Sequence, residues 1–524
     1  MNQAEVKRKQ IQLYSYMACV LILLSFSKLL QYSGLAYFVF ALETILFVLQ
    51  FCFGGVADVI GRMLRYRRKR GLYLNVCAVR RRLNTIIIFV GALGFVLLFS
   101  MANILADNIF KVPQLTLLIK ILAPVILIRA VTCILQGYFQ SFGSHVQTAI
   151  VALFRPALYY FIGKSFLSKQ LAYGEKVSVL LQNEDFHGMY GAVGLAGAIT
   201  LSELILLLVM LVFYFISDRN NDKRKSKEGL QRVESWAETL SMYTKLSSFG
   251  IFFGVLCHLI ILFAMNTLKN NDQIALYGGI YLMVCLLPIL LICARFYLLY
   301  AKTLYAVKGQ NNRYIRDIIQ IGTKYAWCFG ILACVIAAVL APQISATFFD
   351  RNIMVESLLQ KGSLLIPFVV MWIYFIIVHV AHDKYLYIIL SGVVNFVLFI
   401  LFEKMMNNRT ENEITAVVLA GVLAFGLGCV LFGVVTSNLY RLQTEYMFTF
   451  ILPAACVGMI GLILMALSKI ITPHIGNELC FYVCTCLGMI LYLVFLGICR
   501  VFSERDINQI FGKFGRKMLS VFFK

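Results

Sequence analysis

Apolar stretches of about 20 residues follow one another along the whole chain, and no other feature constrains the fold so tightly. Fourteen can be drawn, at 11–30, 36–57, 83–106, 114–138, 148–166, 189–215, 247–267, 275–299, 325–347, 363–380, 385–402, 414–435, 447–467 and 479–499. At about 1.5 Å per residue each can cross the roughly 30 Å hydrocarbon core as an α-helix. Barrel strands would be shorter and would alternate apolar with polar residues. Composition agrees, with 61% hydrophobic and 14% charged residues; a soluble domain has roughly 45–50% and about 25%. The expected fold class is an all-α polytopic membrane protein. Arg155-Pro156 interrupts the fifth stretch, and only a few residues part the tenth from the eleventh, so the expected count is 12 to 14. The first stretch follows MNQAEVKRKQ and ends SFSKLLQYSG with no small-residue cleavage signal, so it is read as an uncleaved span.

The net charge of +22 would point to nucleic acid in a soluble protein. Topology accounts for it instead. With a cytoplasmic N-terminus, 32 of the 47 Lys and Arg fall in cytoplasmic segments, 9 in outer loops and 6 within spans. The acids split about evenly, so the bias sits in Lys and Arg alone, as the positive-inside rule requires. Both termini are expected in the cytoplasm, and no nucleic-acid partner is expected. The stretch at 61–82 carries nine basic residues and no acid. It reads as a loop on anionic headgroups or as a vestibule that gathers an anionic substrate.

A polar linker, about 216–246, divides the first twelve spans into six and six. Five parts are expected: an N-terminal lobe (1–215), the linker, a C-terminal lobe (247–435), an extra helix pair (436–499) and a basic tail (500–524). A weak repeat supports the cut. Arg82 and Lys324 end basic segments 242 residues apart, and Pro124 and Pro367 break spans 243 residues apart. Such repeats are common in secondary transporters.

A charge within the bilayer normally faces a cavity or a partner. Glu43, Asp58, Lys120, Arg129, Arg155, Glu203 and Arg295 lie within or beside spans, as does Lys28. Snorkelling explains those near span ends. Arg129 and Arg155 lie deeper and either line a water-filled cavity or pair with an acid such as Glu43 or Glu203. A cavity rich in Arg would suit phosphate oxygens, which a guanidinium grips as a fork.

Other patterns carry less. His379, His382 and Asp383 have helical spacing but no further strong ligand, so no metal is expected. The 15 cysteines lie mostly in apolar runs and read as reduced thiols, the Cys480, Cys484, Cys486 group included. Gly191, Gly194 and Gly197 suit close helix packing. There is no Walker A sequence, nucleophile elbow or heme motif, so no cofactor and no enzymatic activity is expected.

The run from Gly34 to Leu64, the segment around Leu122-Ala123-Pro124, then Gln136-Gly137-Tyr138-Phe139-Gln140 and Thr148-Ala149-Ile150 resemble the multidrug/oligosaccharidyl-lipid/polysaccharide (MOP) flippase superfamily. The similarity is greatest to its polysaccharide transporter branch, which includes stage V sporulation protein B and lipid II flippases. The tail SERDINQIFGKFGRKMLSVF is similar too. The resemblance implies 14 helices, two six-helix lobes around a cavity, and a last pair along a lipid-tail groove. It implies flipping of a polyprenyl-diphosphate-linked saccharide across a bacterial plasma membrane by rocking lobes. By position it makes Lys28 and Arg295 diphosphate-binding residues, with Arg62 and Arg65 at the cytoplasmic mouth. Arg129 and Arg155 join them on the charge reading alone. The expected partners are a lipid-linked anionic saccharide, membrane lipids, and glycosyltransferases or a polymerase of the same pathway. Two departures stand out: Arg155-Pro156 replaces a Glu of that branch, and VAHDKYLY replaces a Gln-Gly element in the second half. The alternatives are a cation-coupled exporter of organic cations, using Glu43, Asp58 or Glu203, and a non-transporting scaffold for envelope synthesis.

Overall fold

The computed structural model describes residues 3–217, 233–349, 351–410, 412–443, 445–503 and 505–510. Linker residues 218–232 and tail residues 511–524 lie outside the described set. The described residues form helices and connecting turns, without a strand. Hydrocarbon leaves a peptide group no partner but its own segment, so apolar runs of this length become helices. In chain order they are α1 (Gln3–Phe53), α2 (Val56–Lys69), α3 (Tyr73–Ile104), α4 (Leu115–Leu122), α5 (Pro124–Ser141), α6 (Val146–Leu181), α7 (Asp185–Ile216) and α8 (Trp236–Thr267). After a single turn and a π-helical segment (Ala275–Tyr281) come α9 (Leu282–Lys308), α10 (Asn312–Val339), α11 (Ala341–Phe349), α12 (Ile353–Gly362) and α13 (Leu365–Ala381). The last three are α14 (Tyr385–Asn407), α15 (Glu413–Tyr440) and α16 (Leu452–Ile498). Many large apolar side chains along them are exposed, such as Phe89, Phe161 and Leu462, as a bilayer requires.

Eleven helical runs are long and apolar enough to cross a membrane, or twelve when α12 and α13, bent by 45°, count as one span. The difference from fourteen has a local cause. The first two expected spans lie in one 66-residue run, and the last two in one of 52 residues. A straight helix of 66 residues would be about 99 Å long, three times the hydrocarbon core. Each run is broken inside: Gln31 has φ 57° and ψ 173°, and Gly476 has φ 78° and ψ 170°. Positive φ is cheap for glycine and uncommon for glutamine.

Three further expectations are corrected. Pro156 does not end its helix, since α6 runs on to Leu181. The ninth stretch is two helices parted at Leu340, with Pro342 in the first turn of α11, where a missing N–H costs least. The basic stretch is no loop. Helix α2 continues to Lys69 and α3 starts at Tyr73, leaving three residues between them.

The repeat is clear in the helix boundaries. Tyr73 and Asn312, Leu115 and Ile353, and Val146 and Tyr385 begin corresponding helices 238 or 239 residues apart. The two Pro-marked spans break just before Pro124 and shortly before Pro367. Packing repeats as well. A Cβ on Gly91 would lie 2.7 Å from Ala130 of α5, and one on Gly330 would lie 2.8 Å from the Pro367 Cα of α13. In both halves a missing side chain lets the broken span approach its neighbour.

The chain forms two compact units, one of Leu29–Gly278 and one of Met1–Lys28 with Gly279–Lys524. These differ from the lobes drawn on the sequence. The first cut lies beside the Gln31 break and the second inside the π segment, so the opening span of each sequence half belongs to the other half's unit. In the first unit Gln50 Nε2 donates to the Gly250 carbonyl of α8 at 2.8 Å. In the second, Gln10 Nε2 donates to the Ala294 carbonyl of α9 at 3.1 Å, and Lys9 lies 5.4 Å from the Tyr297 ring centre.

Candidate functional site

The deepest charges of the Leu29–Gly278 unit form one cluster. Arg155 of α6 is 4% exposed, and its Nε donates to Glu203 Oε1 of α7 at 2.8 Å. Tyr159, one turn along α6, donates its hydroxyl to the same oxygen at 2.9 Å. Arg129 of α5 approaches Glu203 Oε2 at 3.8 Å and keeps 22% of its side chain exposed. One carboxylate therefore faces two guanidinium groups, of which Arg129 is the more exposed. Of the two readings of Arg155, the ion pair is what the geometry forms. Arg155 is buried in that pair, while Arg129 keeps part of its side chain exposed.

A second buried pair joins Glu43 to His258 of α8, with Nδ1 and Oε1 2.6 Å apart. Sequence reading marked Glu43 and missed His258, since a lone histidine 215 residues away gives no signal. Asp58 lies in the first turn of α2, where the helix dipole favours an acid.

The basic ends of α2 and α3 are specifically held. Arg65 donates to the Gln140 main-chain carbonyl through Nε at 3.2 Å. Arg68 bonds Ser141 and lies 3.4 Å from the Phe142 ring centre. Arg80 lies 5.5 Å from the Tyr138 ring centre. The Gln136–Gln140 motif is thus the seat of this basic cluster, and a Cβ on Gly137 would lie 2.5 Å from Ile60 of α2. Arg67 is nearly buried, and its Nε donates to Glu234 at 2.9 Å, with a second bond from its terminal nitrogen. Glu234 donates its own N–H to Asn75 Oδ1 at 2.8 Å, and its carbonyl accepts from Arg82. Ser235 and Glu238 then close a capping box at the start of α8. This clasp sets where α8 begins. Glu234→Ala is expected to lower stability by about 1–3 kcal/mol, the cost of a buried charged donor left without its partner; thermal unfolding in detergent checks it. Arg62 remains exposed.

Lys28 and Arg295 both fall in the second unit, Lys28 exposed and Arg295 half-buried on α9. Arg129, Arg155, Arg62 and Arg65 all fall in the first. The histidine pattern at the end of α13 is internally satisfied. His379 is fully buried, its Nε2 3.1 Å from the Thr436 hydroxyl, and its ring is stacked on Phe432. Asp383 accepts from Tyr385 at 2.7 Å. Among the described residues no group of three or more His, Cys, Asp or Glu could hold a metal. All fifteen cysteines are free.

Fold and charge placement define a multi-pass α-helical membrane protein with few but specifically bonded charges inside its helices. By sequence, no family model and no curated protein matches the chain. By structure, it is similar to an inward-facing multidrug resistance MATE family transporter of the MOP superfamily, with TM-score 0.64 and 13% identity, over 84% of this chain and 98% of that one. It is similar to the lipid II flippase MurJ in an inward closed conformation, with TM-score 0.63 and 14% identity, over 94% of this chain and 98% of that one. An outward-facing MATE structure matches with TM-score 0.60 and 13% identity, over 84% and 98%. The chain shares the fold of these transporters and this flippase.

Proposed function

We propose that the protein is a flippase that moves a polyprenyl-diphosphate-linked oligosaccharide, a cell-envelope or exopolysaccharide precursor, across a bacterial plasma membrane. One observation carries this reading over drug export. The flippase neighbour accounts for 94% of the chain and the exporters for 84%, a difference of about 50 residues. The charge inventory supports it: the half-buried cations Arg129 and Arg295 suit a diphosphate. Lys28 adds a third cation, and Arg62 and Arg65 stand at the mouth. The diphosphate binds cations of this kind, the glycan crosses with it, and the polyprenyl tail stays in lipid. Both termini face the cytoplasm, and enzymes of the same pathway supply and consume the lipid. Cations bind the anion equally from either side, so direction needs a differential term such as membrane potential or consumption of the product.

The test is translocation of a labelled polyprenyl-diphosphate sugar in proteoliposomes. Arg295→Ala and Arg129→Ala are expected to lower the rate at least about tenfold, the effect of about 1.4 kcal/mol, with the thermal midpoint kept. Full rates in both variants would refute the reading. The Glu43–His258 pair favours a second reading, a proton-coupled exporter of organic cations. Efflux that needs Glu43 and His258, in a protein that flips no diphosphate lipid, would establish it.

A further inference from the structure

After α16 the chain turns back onto the unit of Met1–Lys28 and Gly279–Lys524. Val501, Phe502, Ile507 and Ile510 are buried there, and Arg505 pairs with Asp317 at 3.0 Å. Two lysines meet this segment. Lys302 of α9 donates to the Gln509 main-chain carbonyl at 2.6 Å, and Lys324 of α10 to that of Val501 at 3.0 Å. Among the described residues neither ammonium has a carboxylate partner. An ammonium carries a full charge and three donors. A bond to an ionised oxygen is about twice as strong as one to a neutral carbonyl, so each lysine holds a weaker partner than its charge allows.

The two lysines differ in surroundings. Lys324 lines a pocket of about 240 Å³ together with Asp317, Glu445 and Asp506, whose charges repel an anion. Lys302 does not line that pocket. It lies seven residues beyond Arg295 on α9, two turns on, so both cations share one helix face about 10 Å apart.

We propose that Lys302 is a phosphate-binding position at the basic end of α9, and that residues 501–510 form a cap which a diphosphate group displaces. The Gln509 carbonyl stands where a phosphate oxygen would bind. Exchanging it for an anionic oxygen strengthens the bond to Lys302, while the cap loses one hydrogen bond and its apolar seat. On the flippase reading, on which the identity of the ligand rests, the headgroup meets Lys302 first and Arg295 next. The cap then keeps the empty protein closed at this end.

The experiment uses the full chain in nanodiscs of neutral lipid, with inorganic diphosphate as the probe. Ile507→Asp frees the cap by placing a charge in its buried contact, and deletion of 501–524 frees it without one. Both are expected to bind diphosphate about tenfold more tightly than the unaltered chain, a difference of about 1.4 kcal/mol. Adding Lys302→Ala should abolish the gain, and adding Lys302→Arg should keep it. Hydrogen exchange of the 501–510 amides separates two sources of phosphate. Faster exchange in phosphatidylglycerol discs without diphosphate marks bilayer headgroups as the ligand. Faster exchange only with diphosphate marks a diphosphate group. An unchanged affinity after both ways of freeing the cap, or a gain that survives Lys302→Ala, overturns the proposal. Binding is read without transport. A chain that binds through Lys302 yet moves no diphosphate lipid refutes the flippase reading alone, and one that flips lipid with no Lys302-dependent binding refutes this proposal alone.

Discussion

Glu203→Ala is expected to cost about 3–5 kcal/mol of stability, since removing one partner of a buried ion pair leaves the other charge unpaired. The geometry makes this site severe. Glu203 is 3% exposed, and its carboxylate accepts from Arg155 and Tyr159 and faces Arg129. Without it, two guanidinium groups face each other across α5, α6 and α7. Thermal unfolding in detergent measures the loss. Arg155→Met in the Glu203→Ala background should return part of it, because the variants share one interaction and their costs do not add. A loss below about 1 kcal/mol would show that water reaches Arg155, and would return that residue to the set that meets substrate.

The second large effect is steric. Gly188→Leu is expected to abolish folded protein, and Gly188→Ala to destabilise it strongly. A Cβ on Gly188 would lie 2.7 Å from the Gly34 nitrogen and the Ser33 hydroxyl, and 3.1 Å from the Gly34 Cα. Overpacking a core typically costs about 1–3 kcal/mol because side chains can shift. Here the obstacle is the backbone of another helix, which cannot rotate away. Gly197→Ala on the same helix is the control. Its Cβ would meet Phe166 at 3.5 Å, an ordinary contact, so a change within about 0.5 kcal/mol is expected. Yield of monodisperse protein separates the two variants. Equal yields would mean that α7 and the start of the second span do not cross this closely.

Much of the architecture was legible because the bilayer imposes its length on the chain. Every expected span is largely helical, and two of the three glycines of GAVGLAG lie at close contacts, Gly191 beside Leu171 and Gly194 beside the Phe166 carbonyl. The repeat was visible at Pro124 and Pro367, since a missing N–H marks a break wherever it falls. The glycine pair Gly91 and Gly330 was not, because one small residue among many apolar ones has no signature until its neighbour is known. The candidate charges were legible individually, as ions among apolar residues. Their partners were not. Arg155 lies 48 residues from Glu203, Glu43 lies 215 from His258, and Arg67 lies 167 from Glu234. Helical spacing links residues only within a few turns. For the same reason the basic stretch at 61–82 read as a loop on anionic headgroups or a vestibule, although Arg67 is nearly buried there and α2 runs through it.

The sequence by itself determined a membrane protein of long α-helices and its internal repeat, because hydrophobic length and Pro placement are local properties. Tertiary structure decided which charges pair inside the fold. It joined Arg155 to Glu203 and set Arg129 beside them. It also assigned the opening span of each half to the other half's unit and brought the Gln509 carbonyl onto Lys302. Each of these depends on contacts between residues far apart in the chain, where the cost of burying a charge is met by a partner that only the folded chain supplies.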